Sequence, residues 1–275
     1  MAIVLFGAML HAGWNALVRV SSHKFQDTVL IVLGAGVWTA LFLPLIPVPA
    51  VESWPYLAAS ALIHVVYFSL VAFSYRSGEL SFVYPLMRGS APALTAVAGA
   101  LLINESPSLG GLAGVFLISC GVLTLAGDSC ASGTFRATPA MSALTNAGVI
   151  VVYTLVDGQG ARLSGHAFSY AGWTFLLTAP LLLTIAVAGR GREVLQRIRL
   201  SWRRGLLGGA CTLVSYGLAL WAMTRAPIAL VAALRETSVV FGAIIAATFL
   251  KEPISRIRYV SIIAVYAGAV AMKVF

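Results

Sequence analysis

Long apolar runs alternate with short breaks rich in charge, serine, glycine and proline along the whole chain. The runs fall at roughly 2–19, 28–48, 54–74, 81–103, 109–127, 139–157, 167–189, 205–224, 228–250 and 257–274, each close to the ~20 residues a helix needs to cross the hydrocarbon core. Between them stand stretches such as Ser21-Ser22-His23-Lys24, Tyr75-Arg76-Ser77-Gly78-Glu79, Asn104-Glu105-Ser106-Pro107 and Lys251-Glu252-Pro253. Strands of a membrane barrel would be segments of about ten residues with alternating polarity, whereas these runs are continuous and longer. The pattern predicts an all-α polytopic membrane protein with ten transmembrane helices and very short connections.

Composition narrows the class. Of 275 residues, 60% are apolar and 10% charged, against about a quarter charged in a soluble domain. This excludes an ordinary cytosolic enzyme, a disordered chain and a disulfide-stapled secreted module. Cys120, Cys130 and Cys211 show no CxxC or CxxH spacing, so neither a disulfide framework nor a metal site is expected. Residues 1–6 contain no basic n-region, and His11, Trp14 and Asn15 interrupt what would be an apolar signal core. That segment reads as a retained first helix.

The net charge of +9 arises from 15 Arg and 3 Lys against nine acidic residues. No basic, aromatic-interleaved segment is present to carry nucleic acid, so no such partner is expected. The basic residues instead partition by side of the membrane. Thirteen lie on the side of the odd-numbered connections, six of them arginines within 190–204, while the other side holds Arg162, Arg225 and Lys273. This bias predicts both termini outside and the 190–204 loop cytoplasmic; the membrane expected is the inner membrane of a bacterium. The loop is then a topology anchor or a contact for anionic lipid.

An internal repeat follows from a shift of 147 residues, which lays Arg88 on Arg235, Ala96 on Ala243, Ala100 on Ala247, Glu105 on Glu252 and Gly121 on Gly268. Arg and Glu are rare within apolar helices, so their recurrence at matched depth weighs more than a chance alignment of Ala and Leu. Five runs per copy is an odd number, so the copies cross the membrane in opposite directions. The expected organisation is a five-helix repeat over 1–127, a linker at 128–138 and an inverted five-helix repeat over 139–275. Inverted repeats are typical of transporters that expose a central site alternately to each side.

The pattern of a Pro- or small-residue-rich helix ending in Glu, followed by a Gly-containing helix, reads here Tyr84-Pro85-Leu86 through Pro92 to Asn104-Glu105, then Gly110-Gly111-Leu112-Ala113-Gly114 and Cys120-Gly121. In the second half it reads Ala229 through Ala247 to Lys251-Glu252-Pro253, then Ala267-Gly268. Over nearly the whole chain this resembles the drug/metabolite transporter superfamily, specifically its EamA type with two five-helix copies. The opening His11-Ala12-Gly13-Trp14-Asn15-Ala16-Leu17 is similar to a subset of these proteins, some encoded among phosphonate-use genes. The resemblance implies a transporter of small metabolites. Members are commonly drawn with both termini cytoplasmic, the reverse of the orientation the charge count gives here. In the phosphate translocators of the superfamily, basic side chains in late helices hold phosphate, a placement that Arg235 resembles.

Arg88 and Arg235 lie about seven residues, roughly 10 Å, inside their runs, where a charge must face water, a partner or a substrate. Together they could clamp a carboxylate, phosphate or phosphonate, or each could pair internally with Asp157, Glu236 or backbone carbonyls. Glu236 and Asp157 are the candidates for proton coupling, Glu236 being the acidic residue furthest inside a run; a structural, hydrogen-bonded carboxylate is its other reading. His11, Trp14 and Asn15 share one face of the first helix, and His64 and Tyr67 share one face of the third. With Tyr84, which precedes the carbonyl-freeing Pro85, they could line a substrate cavity or act as helix-packing and interfacial residues. Gly110-x-x-x-Gly114 and Gly205-x-x-x-Gly209 are close-packing signatures, which leaves a monomer or a homodimer open.

The expected function is secondary transport, by alternating access, of small metabolites, with anionic ones such as amino acids, organic acids or phosphonates among the candidates. Its partners are the substrate, the bilayer and, for coupling, protons. No cofactor is expected, and neither HExxH, GxSxG, a Walker loop nor a dinucleotide fingerprint is present to support an integral-membrane enzyme. A non-transporting scaffold or sensor would have only 190–204 as a docking segment.

Overall fold

A computed structural model describes residues 1–19, 21, 23–77, 80–131, 137–249 and 255–274. Among them the regular structure is helical throughout: α1 (Ala2–Arg19), α2 (Lys24–Phe42), α3 (Trp54–Ser77), α4 (Leu80–Ile103), α5 (Leu109–Ala131), α6 (Ala137–Leu163), α7 (Ala167–Met223), α8 (Ile228–Arg235), α9 (Ser238–Phe249) and α10 (Arg256–Val274), with two short 3-10 turns between α2 and α3. Among the described residues seven segments are long and apolar enough to cross a membrane, and Ala2–Val18 and Leu109–Leu125 are apolar but shorter. The bundle presents many large apolar side chains outward, such as Leu101, Leu109, Ile263 and Tyr266. That is the distribution a bilayer, not water, would solvate.

Two expectations about helix boundaries are corrected. The segment 190–204, expected as a loop, is helical and lies within α7. A straight helix of 57 residues would extend about 85 Å, yet the rings of Phe175 and Tyr216 are 5.7 Å apart, so α7 doubles back on itself. Both arms pack on α2. Gly172 meets Thr39 and Gly36 meets Ala179 on the first arm, while Gly205 meets Leu30 and Gly209 meets Ala35 on the second. The reversal is tied to the start of α2 by Arg197, whose Nε and Nη2 donate to the two Asp27 carboxylate oxygens at 2.6 and 2.8 Å, and by Gln26, which donates to Glu193 at 3.3 Å. The two apolar arms, Ala167–Gly189 and Gly191–Met223, correspond to the seventh and eighth expected spans.

The second correction is that the ninth span, 228–250, is two helices. Around Glu236 and Thr237 the hydrogen bonds tighten to the i+3 spacing, Val239 N to Glu236 O at 3.0 Å and Val240 N to Thr237 O at 2.9 Å. Such a discontinuity inside an apolar span is tolerated where it faces protein or a cavity, and here it carries Arg235 and Glu236. The two ends of the expected linker, 128–131 and 137–138, are helical, because α5 runs to Ala131 and α6 begins at Ala137. Residues 132–136, Arg136 among them, and 250–254, with Glu252, lie outside the described residues.

The seam between α5 and α10 is glycine-lined. A Cβ added at Gly114 would meet the Gly268 carbonyl oxygen at 2.6 Å and the Gly268 counterpart would meet the Gly114 oxygen at 2.7 Å, while Gly121 approaches the Ser261 oxygen at 3.1 Å. Both α5 glycines thus pack inside this chain. Overpacking of this kind costs about 1–3 kcal/mol, so Gly268→Ala is expected to lower the unfolding midpoint in detergent. A wild-type midpoint would mean that the two helices separate freely.

Candidate functional site

Six residues singled out from the sequence converge on one small cavity of about 30 Å³: His11, Trp14 and Asn15 on α1, Tyr67 on α3, and Tyr84 and Arg88 on α4. That volume holds about one water molecule, far below the several hundred Å³ of a ligand pocket, so a metabolite enters only if these helices part. The α1 face is built as its spacing requires. Trp14 Nε1 donates to His11 Nδ1 at 3.2 Å, and Asn15 Nδ2 donates to the His11 carbonyl at 2.8 Å.

Arg88 is 3% exposed and pairs with Glu236, itself 3% exposed. Its Nε donates to Oε2 at 3.0 Å and its Nη2 lies 2.7 Å from Oε1, a two-pronged geometry that suits a guanidinium and a carboxylate. The break between α8 and α9 is what aims Glu236 at α4. Pro92 sits inside α4 and offers no N–H to the carbonyl of Arg88 four residues back, which loosens the helix at the same level. The pair answers the sequence question for Arg88 with an internal partner.

Arg235, adjacent in sequence, is in a different situation. It is 8% exposed, its Nε has no hydrogen-bond partner, and its Cζ lies 5.3 Å from the Tyr216 ring centroid. Stacking on an aromatic face partly compensates a desolvated guanidinium while its Nε stays unbonded. Arg88 and Arg235 therefore differ: among the described residues one forms an ion pair with a carboxylate and the other does not.

Tyr216 links Arg235 to a second buried cluster. Its hydroxyl donates to Asp157 Oδ2, and the Tyr170 hydroxyl donates to Oδ1 at 3.1 Å. His64 Nε2 lies 3.9 Å from Asp157 Oδ2, while its Nδ1 faces Ser60 Oγ at 3.2 Å. Rings of Tyr67, Tyr153 and Tyr216 surround His64 at centroid distances of 6.4, 4.7 and 5.9 Å. Asp157 is fully buried, and its hydroxyl donors satisfy both oxygens. Ser60, Tyr153, Tyr170 and Tyr216 were not picked out from the sequence. The available signal was the spacing of Tyr153 and Asp157, four residues apart and so on one face of α6.

A third constellation closes one end of the bundle. Glu105, just after α4, pairs with Arg162 Nη2 at the end of α6 and accepts the Ile228 backbone N–H at 2.7 Å, capping the start of α8. Arg162 also donates to the carbonyls of Met223 and Ala226 at 2.8 and 3.1 Å. Losing a helix cap costs about 1 kcal/mol. Glu105→Ala is therefore expected to speed hydrogen exchange in the first turn of α8 about fivefold, measured by mass spectrometry; an unchanged rate would remove Glu105 from this role.

Comparisons agree with the architecture. Residues 139–273 match the EamA-like transporter family. The multidrug resistance protein EbrB of Bacillus subtilis (strain 168) is 35% identical over 74 residues, which is 27% of this chain and 62% of that protein; the match thus spans less than two thirds of the relative's length. A crystal structure of a protein superposes with a TM-score of 0.77 at 18% identity, over 98% of this chain and 94% of its own, which establishes a shared fold.

Proposed function

We propose that this chain, whose residues 139–273 match the EamA-like transporter family, is a secondary transporter of small anionic metabolites, such as amino acids, organic acids or phosphonates, working by alternating access. The observation that carries the reading is the contrast between the two buried arginines: Arg88 forms an ion pair with Glu236, whereas Arg235 forms none among the described residues. A buried cation held by no ion pair is costly, and an anionic substrate is the group that would offset it. The cavity walled by His11, Trp14, Asn15, Tyr67 and Tyr84, with His64 behind it, would select the rest of the molecule.

The inverted repeat belongs to the same proposal and is supported by the α5/α10 seam. Under the 147-residue shift, Gly114 maps to Ser261 and Gly268 to Gly121. The contact of Gly114 with Gly268 thus maps onto the contact of Gly121 with Ser261, and both occur. Reciprocal contacts at one register are what a pseudo-twofold axis produces. The two repeats, 1–127 and 139–275, would rock about it, with the Glu105–Arg162 pair holding one end and Asp27–Arg197 the other. For coupling, Asp157 with its His64 neighbour is the better-placed proton carrier, because Glu236 is committed to Arg88.

A second reading, export of apolar drugs, draws on the name of the relative EbrB and on the aromatic walls of Tyr67, Tyr153 and Tyr216. A thermal-shift screen of the purified protein against amino acids, organic acids, phosphonates and neutral aromatic drugs separates them. Stabilisation by anions alone supports the first reading, and stabilisation by neutral drugs alone overturns it.

A further inference from the structure

The face with few basic residues carries only Arg162, Arg225 and Lys273 among its Lys and Arg, and the first two line one cavity. This cavity, about 610 Å³, lies between the end of α6 and the two ends of α7, with His166, Phe168 and Trp221 in its walls beside Ile46 and Pro47 of the α2–α3 connection. No acidic residue lines it. Arg225 is stacked on Trp221 with its Cζ 4.0 Å from the ring centroid. Its Nη1 is held by the Trp221 carbonyl at 3.4 Å and Thr224 Oγ1 at 3.1 Å, which orients the guanidinium and leaves Nε and Nη2 to point elsewhere. The His166 side chain is exposed across the same cavity.

We infer that this cavity is an anion-binding vestibule, separate from the central cluster, that takes a phosphate or carboxylate group carried on an apolar or amphipathic body. A stacked, pre-oriented arginine with free edge donors is the arrangement that recognises planar or tetrahedral oxyanions, and Trp221 and Phe168 supply the apolar wall for the rest of the ligand. Size and charge agree: the volume lies within the ~300–1,000 Å³ of ligand pockets, and low-dielectric walls of one sign raise the local concentration of counter-charge. The vestibule also has a route to the interior. Arg162 borders it while holding Glu105, and Glu105 caps α8, whose far end carries Arg235. An anion that draws on Arg162 therefore loosens the Glu105 contact at one end of α8. The inference shares an anionic ligand with the proposed function but stands on different residues.

The anion could come from a lipid headgroup or from a soluble solute, so two probes are needed on the full-length protein: phosphatidylglycerol in nanodiscs mixed with phosphatidylcholine, counted by native mass spectrometry, and inorganic phosphate, measured by calorimetry. The double variant Arg225→Gln/His166→Gln is expected to weaken at least one probe tenfold or more, with phosphatidylglycerol loss identifying a headgroup and phosphate loss a soluble anion. Both side chains are exposed, and Arg225→Glu, expected to act in the same direction, checks the result independently. Unchanged binding of both probes to both variants overturns the vestibule. Loss of binding in Arg235→Gln with none in the Arg225 and His166 variants overturns it too, while leaving the central anionic site standing.

Discussion

Replacing Glu236 with alanine is expected to destabilise the protein by about 3–5 kcal/mol, the cost of leaving one partner of a buried ion pair uncompensated. Arg88 and Glu236 expose only 4% and 5% of their side chains, so water cannot take over the lost contact, and the surrounding Tyr67 and Tyr84 offer no second negative charge. The double variant Arg88→Met/Glu236→Leu removes both charges with similar volume and is expected to recover most of the loss, since apolar replacement of a buried pair is often neutral. Reversible unfolding in mixed micelles measures both. If Glu236→Ala unfolds with the wild-type midpoint, the pair does not hold α4 to the α8–α9 break in solution.

Arg235→Gln should behave in the opposite way. Arg235 forms no ion pair among the described residues, so removing its charge is expected to leave stability unchanged or raise it slightly, the lost stacking on Tyr216 being worth about 1–2 kcal/mol against relief of a desolvated cation. Its effect falls on substrate. Charge-assisted hydrogen bonds contribute about 1.5–3 kcal/mol each, so transport of an anionic substrate should drop about a hundredfold in kcat/KM at ~1.4 kcal/mol per factor of ten. Arg235→Lys keeps the charge but not the planar fork and should recover only part of the rate. An anion flux equal to wild type in Arg235→Gln would show that the unpaired guanidinium does not meet substrate.

Seven membrane-length spans among the described residues were legible in the sequence because apolar length is a local signal. Two features were not. Residues 190–204 break the hydropathy pattern, but Arg, Glu, Leu and Gln are good helix formers, so charge there interrupts the apolar run without ending α7. The break at Glu236 and Thr237 carries neither Gly nor Pro, the usual marks of a helix stop. It coincides with the Arg88–Glu236 pair, a contact across 148 residues that no local window contains. The candidate site was legible where polar residues stood out in apolar surroundings, as with Arg88, Arg235, Asp157 and His64. Tyr170 and Tyr216 blend into aromatic-rich apolar runs, and only the fold reveals that both donate to one carboxylate. The Glu105–Arg162 contact joins two residues that hydropathy places at helix ends and nothing more.

We propose that anions cross the membrane through a site built on Arg235. Uptake of a radiolabelled panel of amino acids, organic acids and phosphonates into proteoliposomes, compared between wild type and Arg235→Gln, decides this. Protein-dependent flux of at least one anionic solute is expected to fall about a hundredfold in the variant while neutral solutes stay at the protein-free rate. Flux confined to neutral compounds, or anion flux indifferent to Arg235, would contradict it.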